Sequence, residues 1–530
     1  MDYRKITKKG VQKSEKLERK EQKNIEELTD EIIKRLTEIE IYEQWTEYCL
    51  ITDAHNGEAF ARIAKDWLCY VPEDKSWYEY QGGVWKQTNG VGLYALAFGK
   101  AVYHLTTKNI LTSQEFLLWQ PEQKRDYRKK QDRLYDASFE KRLETVAKSY
   151  LSVDKSMFDA DLDLLNLKNG TYNLKTKRLQ KHNPEDYIMQ QANVSYKPRK
   201  EDCVWEHYLD DVTCGDAELK DFLQIKLGAT LSGKIHNEEF QVLYGATTRN
   251  GKSTLVETVG NLLGTYATSL NPAALMTSRK SKDGEEASPE MANLAGKRYI
   301  GVSEAGINNG TGTLDIEKLK QLTGQDTISA RQLYGKPFKF TFQGHIFMNC
   351  NSLASIPDST IFDSDRCNVI PFNRHFSEEE ADDNIKAYFR LEDVKSAILN
   401  WLIEGYQKAE KIGWKAEKPQ SVIDATSEYR EAESAEELFL KDCLLETEST
   451  SEVPFLELLG LYFAYYKVIF SKKTPLKRNE FYKFLANSGI SYKDDHSAGK
   501  RIVGYKINEE ALETIGVKWQ NPRQNRSFKA

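Results

Sequence analysis

The sequence contains no C-x-x-C pair. Its seven cysteines, Cys49, Cys69, Cys203, Cys214, Cys350, Cys367 and Cys443, are scattered along 530 residues. That excludes the ligand spacing of a zinc ribbon, and an odd, sparse set makes no disulfide framework. Such usage suits a reducing cytosol, so a cytoplasmic location is expected. A long apolar run is missing too. The greasiest stretch, Leu456 to Phe470, is broken by Glu457 and Lys467 and is too short and too polar to span a bilayer, so no membrane partner is expected. The N-terminus is charged from Arg4 onward and has no apolar signal core. Nor is there an excess of positive charge: Lys and Arg number 75, Asp and Glu 80, for a net −5. A chain that coats nucleic acid over its whole surface would be basic, but the balance averages over all domains and leaves room for a local basic groove. Internal repeats are absent, as are low-complexity tracts beyond the N-terminal tail.

What is present is a soluble globular composition, 40% hydrophobic and 29% charged, with enough chain for about three domains. Residues 1 to about 20 read as a solvated tail rich in Lys and Glu. Ile25, Leu28, Ile32, Leu36 and Ile39 then recur every three or four residues, one apolar stripe on a helix. The stripe packs either on its own domain or as a collar between subunits. Trp77 to Tyr80 and Val84 to Lys86 flank Gln81-Gly82-Gly83, the pattern of two strands around a glycine turn. Exposed, these aromatics would stack on bases; the favoured reading is that they form a small sheet's own core, since aromatics usually pack. Residues 110 to 150 are charged and helix-prone. Leu164 to Leu167 and Thr171 to Leu174 form a second hairpin with Asn169-Gly170 as its turn. The alternating Asp159, Asp161 and Asp163 before it resemble a two-metal set, but no further carboxylate cluster or His follows, so a solvent-facing edge is the preferred reading.

Between about 205 and 375 short apolar runs (Phe240 to Tyr244, Tyr299 to Val302, His345 to Met348) alternate with helical patterns, as in a buried parallel sheet. Residues 376 to 420 read as helical. A last unit follows Pro419, ending as helix (Phe481 to Asn487), stop (Gly489) and one strand (Arg501 to Ile507).

The stretch richest in chemistry is Phe240 to Tyr244, then Gly245-Ala-Thr-Thr-Arg-Asn250-Gly251-Lys252-Ser253-Thr254, then Leu255 to Leu263: strand, loop, helix. Backbone N–H groups of such a loop cradle phosphate oxygens, and the helix adds its positive end. Lys252 would reach the β- and γ-phosphates and Ser253 would ligate Mg²⁺. The strict spacing G-x-x-x-x-G-K-S puts Ala246 at the first glycine's place, so the loop either carries one extra residue or replaces that glycine. Hydrolysis also needs an acid, a polar sensor and positive charge. Glu304, after the strand Tyr299 to Val302, is the candidate base. Asn349 or Asn351 would orient water. Arg366, before Cys367-Asn368-Val369-Ile370, is either a surface ion-pair partner or a finger for a neighbouring subunit.

The order of Gly251-Lys252-Ser253-Thr254, Arg298 to Glu304, Leu319-Lys-Gln-Leu-Thr-Gly-Gln-Asp326, Ser329-Ala-Arg-Gln-Leu-Tyr334 and Asn351 resembles superfamily 3 helicases, specifically the phage and poxvirus primase-helicase group, over most of the chain. The resemblance implies a multidomain α/β fold: a charged tail and helix (1–50), an N-terminal α+β domain (51–204), an AAA+-like P-loop ATPase core (205–420) and a C-terminal winged helix (421–530). It implies ATP and Mg²⁺ as cofactors, bound between subunits of a homo-hexameric ring on single-stranded or forked DNA, with 3′ to 5′ movement. Residue by residue, it makes Lys252 and Ser253 the Walker A pair, with Gly245, Asn250, Gly251 and Thr254 around the nucleotide. Glu304 becomes the Walker B acid and, with Ser253, a metal ligand. Asn351 fits the sensor better than Asn349, and Arg366 the finger. Arg331 to Phe340 matches the DNA-gripping hairpin, with Lys336 at its tip and Lys339 beside it. In the winged helix, Lys477 and Arg478 at a helix start and Lys500 and Arg501 on a wing would meet duplex phosphates; the plain alternative is a solvated basic face.

Three departures stand out. The Walker A loop is offset by one residue. Ser303 stands where many such helicases carry Asp, and Asp365 replaces the first of a pair of arginines. Only about 50 residues precede the N-terminal helicase domain, so the expectation is a helicase without a fused primase, served by a separate primase or initiator in a bacterial host cell. The competing readings are an origin-binding initiator whose ATP site drives assembly without unwinding, and a packaging motor, which would call for a carboxylate-cluster nuclease domain that the chain does not display.

Overall fold

A computed structural model describes residues 25–38, 52–276, 289–303, 314–332, 336–351 and, with short gaps, 353–512. The expected tail, residues 1 to 20, and Ile39 lie outside the described residues. Helix α1 (Ile25–Glu38) forms where the three-and-four spacing predicts it. Its Leu28, Ile32 and Leu36 are buried among α2 (Asp53–Ala64) and α3 (Gly92–Thr106), against Phe60, Ala64 and Phe98. The stripe therefore serves its own domain, which corrects the collar alternative: the face such a collar would need is already covered.

Strands β1 (Leu68–Val71), β2 (Ser76–Gln81) and β3 (Val84–Thr88) form an antiparallel sheet. Its second turn uses Gly82 and Gly83, both in the left-handed region (φ 61° and 85°) that other residues adopt at a cost. Trp77, Tyr78 and Trp85 are all buried, so the hairpin's aromatics are core and not a stacking platform. Helix α4 (Phe139–Leu151) closes this domain.

The next sheet, β4 (Leu164–Leu167), β5 (Gly170–Asn173) and β6 (Arg178–Gln180), is also antiparallel. Its first turn is Lys168-Asn169, one residue earlier than expected, because Leu167 already pairs with Gly170. Of the aspartates before it only Asp161 faces solvent; Asp159 is half-buried and Asp163 buried. Asp163 is buried and ion-paired to Lys175 (2.8 Å) and Lys234 (2.6 Å). Asp159 accepts a hydrogen bond from Met189 N–H at 2.9 Å. Among the described residues no group of His, Cys, Asp or Glu is placed to hold a metal.

Helices α5 (Cys203–Val212) and α6 (Ala217–Ala229) lead into the central sheet. Its strands are β7 (Phe240–Tyr244), β8 (Ala267–Leu270), β9 (Tyr299–Ser303), β12 (His345–Cys350) and β13 (Cys367–Pro371), all parallel in the order β13-β7-β12-β9-β8. Both faces are covered, which is why these strands read as short unbroken apolar runs. Between them lie α7 (Lys252–Leu263), α8 (Ile316–Thr323) and the hairpin of β10 (Thr327–Arg331) with β11 (Pro337–Thr341). Leu165, Leu167, Tyr172 and Leu174 from β4 and β5 share one apolar cluster with Leu243, Leu262 and Phe347, so residues on both sides of 204 build a common core.

Long helix α9 (Glu392–Lys411) crosses α6 at two glycines. A Cβ on Gly405 would lie 2.1 Å from Gln224 O, and one on Gly228 would lie 2.3 Å from Tyr406 N. In an exposed mid-helix site, alanine would be better than glycine by about 1 kcal/mol. Here backbone blocks it, so Gly405→Ala is expected to destabilise by about 1–3 kcal/mol, seen as a lower urea midpoint. A higher midpoint would contradict the close crossing. Of the expected helical stretch 376 to 420, only Ile385–Tyr388 and α9 are helical before Gln420; the chain leaves α9 through Gly413 (φ 66°).

Helix α10 (Gln420–Glu433), expected to open the last unit after Pro419, packs instead on the central sheet, with Val422 and Tyr429 in its apolar clusters and Thr426 Oγ1 accepting from Val369 N–H at 3.0 Å. The last unit holds α11 (Ala435–Cys443), α12 (Phe455–Ile469) and α13 (Arg478–Asn487). With them are two small antiparallel sheets, β14 (Leu444–Glu446) with β18 (Tyr505–Ile507), and β15 (Glu452–Pro454), β17 (Gly499–Val503) and β16 (Tyr492–Asp495) in that order. Arg501 to Ile507 is thus two strands: Gly504 (φ 85°) turns the chain from one sheet into the other. Among the described residues the cysteines are free, and no helix is long and apolar enough to cross a membrane.

Candidate functional site

The site forms where β7 ends and α7 begins. Gly245 follows the strand directly, and a Cβ there would meet Asn250 Nδ2 at 2.3 Å and Phe372 O at 2.6 Å. Only glycine fits at this position, one residue before the place the strict spacing gives the first glycine. Arg249 (φ 58°) and Gly251 (φ 87°) make the loop's left-handed turn. Asn250 is buried and ties the loop together, donating to Thr247 O at 2.6 Å. From α5, the Tyr208 hydroxyl donates to Gly251 O at 2.8 Å. Burial pushes the Tyr208 phenol up, so it stays a neutral donor at physiological pH.

Lys252 is 2% exposed. Its Nζ donates to Asn351 Oδ1 at 2.8 Å and to Gly245 O at 3.2 Å. Ser253 is exposed at the helix start, and its Oγ accepts from Asn349 Nδ2 at 3.0 Å. The end of β12 therefore delivers two asparagines, Asn351 to the lysine and Asn349 to the serine, contacts that sequence reasoning did not foresee. Thr254 is half-buried beside them. Ser303 ends β9 and pairs in register with Asn349. Glu304, the expected base, lies outside the described residues.

Arg366 sits elsewhere. It precedes β13, whose first residue pairs with Phe240, the first residue of β7, whereas the loop follows the last. Five residues of strand, roughly 16 Å, separate the two ends. Its guanidinium donates to Thr323 Oγ1 at 2.9 Å and pairs with Glu238. It does not reach the loop of its own chain, so the structure brings together Lys252, Ser253, Asn349 and Asn351 but not Arg366.

The Arg331 to Phe340 segment is the expected hairpin. Ile328 and Ala330 face inward and are buried, while Lys336 and Lys339 are exposed and Arg331 is half-exposed. The apex residues 333–335 lie outside the described residues. In the last unit, Lys477 and Arg478 are exposed at the start of α13. Lys500 Nζ lies 4.1 Å from the Tyr482 ring centroid and 3.0 Å from its hydroxyl, which sets β17 against α13. Arg501 pairs with Glu452 at 3.1 Å, so an internal acid already occupies that guanidinium.

A cavity of about 480 Å³ opens beside the loop, between α5 and the chain after β13. Val204, Tyr208, Thr254, Phe376 and Ile385 line it, with His207 at the rim. Phe376 N–H donates to Arg249 O at 2.8 Å, and His375 Nδ1 lies 2.8 Å from Thr248 O, so this segment is fastened to the loop. A Ser377 N–H and the Arg374 guanidinium hold the Glu380 carboxyl below its ordinary range. No motif spacing points to these residues; the apolar face of α5 was the one available signal.

Residues 57–214 match a family described as D5 N terminal like, and residues 243–367 match a family of unknown function, DUF5906. The chain is 27% identical over 332 residues to "Putative helicase L207/L206" of Acanthamoeba polyphaga mimivirus, covering 59% of this chain and 34% of that protein. It is 34% identical over 146 residues to "Putative helicase 022R" of Frog virus 3, covering 26% and 14%. It is 22% identical over 382 residues to "Putative helicase 121R" of Invertebrate iridescent virus 3, covering 66% and 40%. The chain thus spans less than half the length of these relatives. Among solved structures, the A form apo structure of the NrS-1 C-terminal region aligns over 83% of this chain and 96% of that one, at 10% identity and a TM-score of 0.42. With a D5 N-terminal-like match over residues 57–214 and a second family match over 243–367, the chain is similar to helicase-named proteins of large DNA viruses.

Proposed function

We propose that this chain is an ATP-dependent replicative DNA helicase of a phage or mobile element, working as a hexameric ring on single-stranded DNA. The observation that supports it most is Lys252: a buried ammonium that donates to Asn351 Oδ1 and Gly245 O, set in a glycine-built loop at a helix start. An ammonium fixed there, beside the N–H groups of the first helical turn, is suited to polyphosphate. The donor set also fits a magnesium nucleotide, since Ser253 is exposed at the loop and Asn349 orients its hydroxyl. Mg²⁺ would supply charge neutralisation on the β- and γ-phosphates, with Ser253 and Glu304 holding it.

In this reading Glu304 takes a proton from water, Asn351 positions that water and the γ-phosphate, and Lys252 stabilises the charge that develops. The 480 Å³ cavity beside the loop seats the nucleoside. Arg366 lies too far from its own loop and acts on the neighbouring subunit's nucleotide after leaving Glu238. Arg331, Lys336 and Lys339 grip one DNA strand, and the last unit is a winged helix that uses Lys477, Arg478 and Lys500 on duplex phosphates.

A forked-DNA unwinding assay tests the whole reading. The full chain with ATP and Mg²⁺ is expected to displace a labelled strand from forks it can enter by a 3′ tail and not from forks offering only a 5′ tail. Binding of duplex with no displacement from either fork would replace this reading with the non-unwinding initiator.

A further inference from the structure

A cleft of about 1220 Å³, larger than the cavity beside the nucleotide loop, lies between the N-terminal domain and the β10–β11 hairpin. One wall is the β1–β2 turn with Lys75 and the segment Lys155 to Phe158; the other is strand β11 with Lys336, Phe338 and Lys339. Gln190 and Lys297 line its floor. Of the acids there, Asp74 is occupied by Lys155 (2.6 Å) and the Tyr78 hydroxyl (2.8 Å), and Asp159 is turned to a backbone N–H. Glu73 is exposed at the rim. Among the described residues Lys75, Lys336 and Lys339 pair with no carboxylate. Exposed ammonium groups on both walls, with half-buried Phe158 and Phe338 between them, match a phosphate chain carrying unpaired bases: the charges follow the backbone and the rings accept a base face.

We propose that this cleft binds single-stranded nucleic acid, so that the strand held by the hairpin continues across the N-terminal domain of the same subunit, with Lys75 as its contact there and Lys155 kept on Asp74. The inference rests on the helicase reading and extends it to a domain that reading leaves without a DNA contact. It also gives Lys75 a use: the residue is exposed at φ 52° in the tight β1–β2 turn.

The test is the full-length variant Lys75→Asn, chosen because Asn tolerates the left-handed backbone and the change adds no charge. Binding of fluorescein-labelled oligothymidylate is followed by anisotropy over a range of salt concentrations. Affinity is expected to fall about threefold, and the slope of log K against log salt to shrink by about 0.7, the share of one lost phosphate contact. Circular dichroism and the thermal midpoint report whether the variant folds. Independently, 5-iododeoxyuridine oligonucleotides photocrosslinked to the unaltered protein are expected to label peptides containing Phe158 or Phe338. Unchanged affinity and slope, with crosslinks absent from both peptides, would overturn the cleft assignment and leave the helicase reading standing. An unaltered protein that does not bind oligothymidylate at all would overturn the helicase reading itself. An equal loss of blunt-duplex binding in the variant would overturn the single-strand assignment.

Discussion

Lys252→Ala is expected to remove ATP hydrolysis, lowering kcat/KM by about a thousandfold, which corresponds to about 4 kcal/mol of transition-state stabilisation. The size of the effect follows from the position of the group. Its ammonium is almost wholly withdrawn from water and held by Asn351 Oδ1 and Gly245 O, so its charge acts through little intervening solvent. Removing it leaves those oxygens facing one another where phosphate would sit. Lys252→Arg is expected to fail nearly as badly, because a planar guanidinium does not fit the space between Gly245 and Asn351. Phosphate release measured against ATP concentration checks both variants. Fluorescent nucleotide titration then separates lost binding from lost turnover. Either variant retaining a tenth of the original kcat/KM would remove Lys252 from the proposed chemistry.

The second large effect is expected at the hairpin. Lys336→Ala should reduce strand displacement at least tenfold and abolish the DNA-stimulated increment in hydrolysis. Lys336 is exposed, directly preceding β11. In a ring the substitution is repeated in every subunit, so a modest loss per phosphate contact is multiplied along the strand. Lys339 lies further down β11, opposite Ser329, and its alanine variant should lose less. Stopped-flow unwinding on forked DNA distinguishes the two. If Lys336→Ala unwinds at the original rate, the hairpin is not what moves the strand.

The parts of this molecule legible from sequence are those decided by local pattern. β7, β9 and β12 coincide with short apolar runs because a parallel sheet buried on both faces demands such runs. The strand, glycine loop and helix from Phe240 to Leu263 were legible because the loop's glycines are required by backbone geometry within ten residues. Features that depend on distant partners were not legible. Nothing around Arg366 announces Glu238, which is 128 residues away in sequence. The burial of α1 on its own domain and the cavity lined by Tyr208 and Phe376 likewise depend on how helices meet. Asn349 was weighed and set aside for Asn351, yet each reaches one member of the Lys252-Ser253 pair, because alternate residues at the end of β12 fall beside the same helix start. The break at Gly504 was missed because the residues on either side of it are equally strand-like, and only a positive φ separates them.

Helix α7 is fastened at both ends. Its first residue carries the Lys252 ammonium, while near its last turn Asn193 N–H donates to Leu262 O and Thr265 N–H donates to Gln191 O. Residues 191 to 193 run beside β4, where Asn166 Nδ2 donates to Gln190 O and also to Gly83 O in the β2–β3 turn. The hinge that a flexible linker would provide is replaced by a braced strut. A displacement of α7 would therefore be passed to the β2–β3 turn through hydrogen bonds rather than taken up by slack chain.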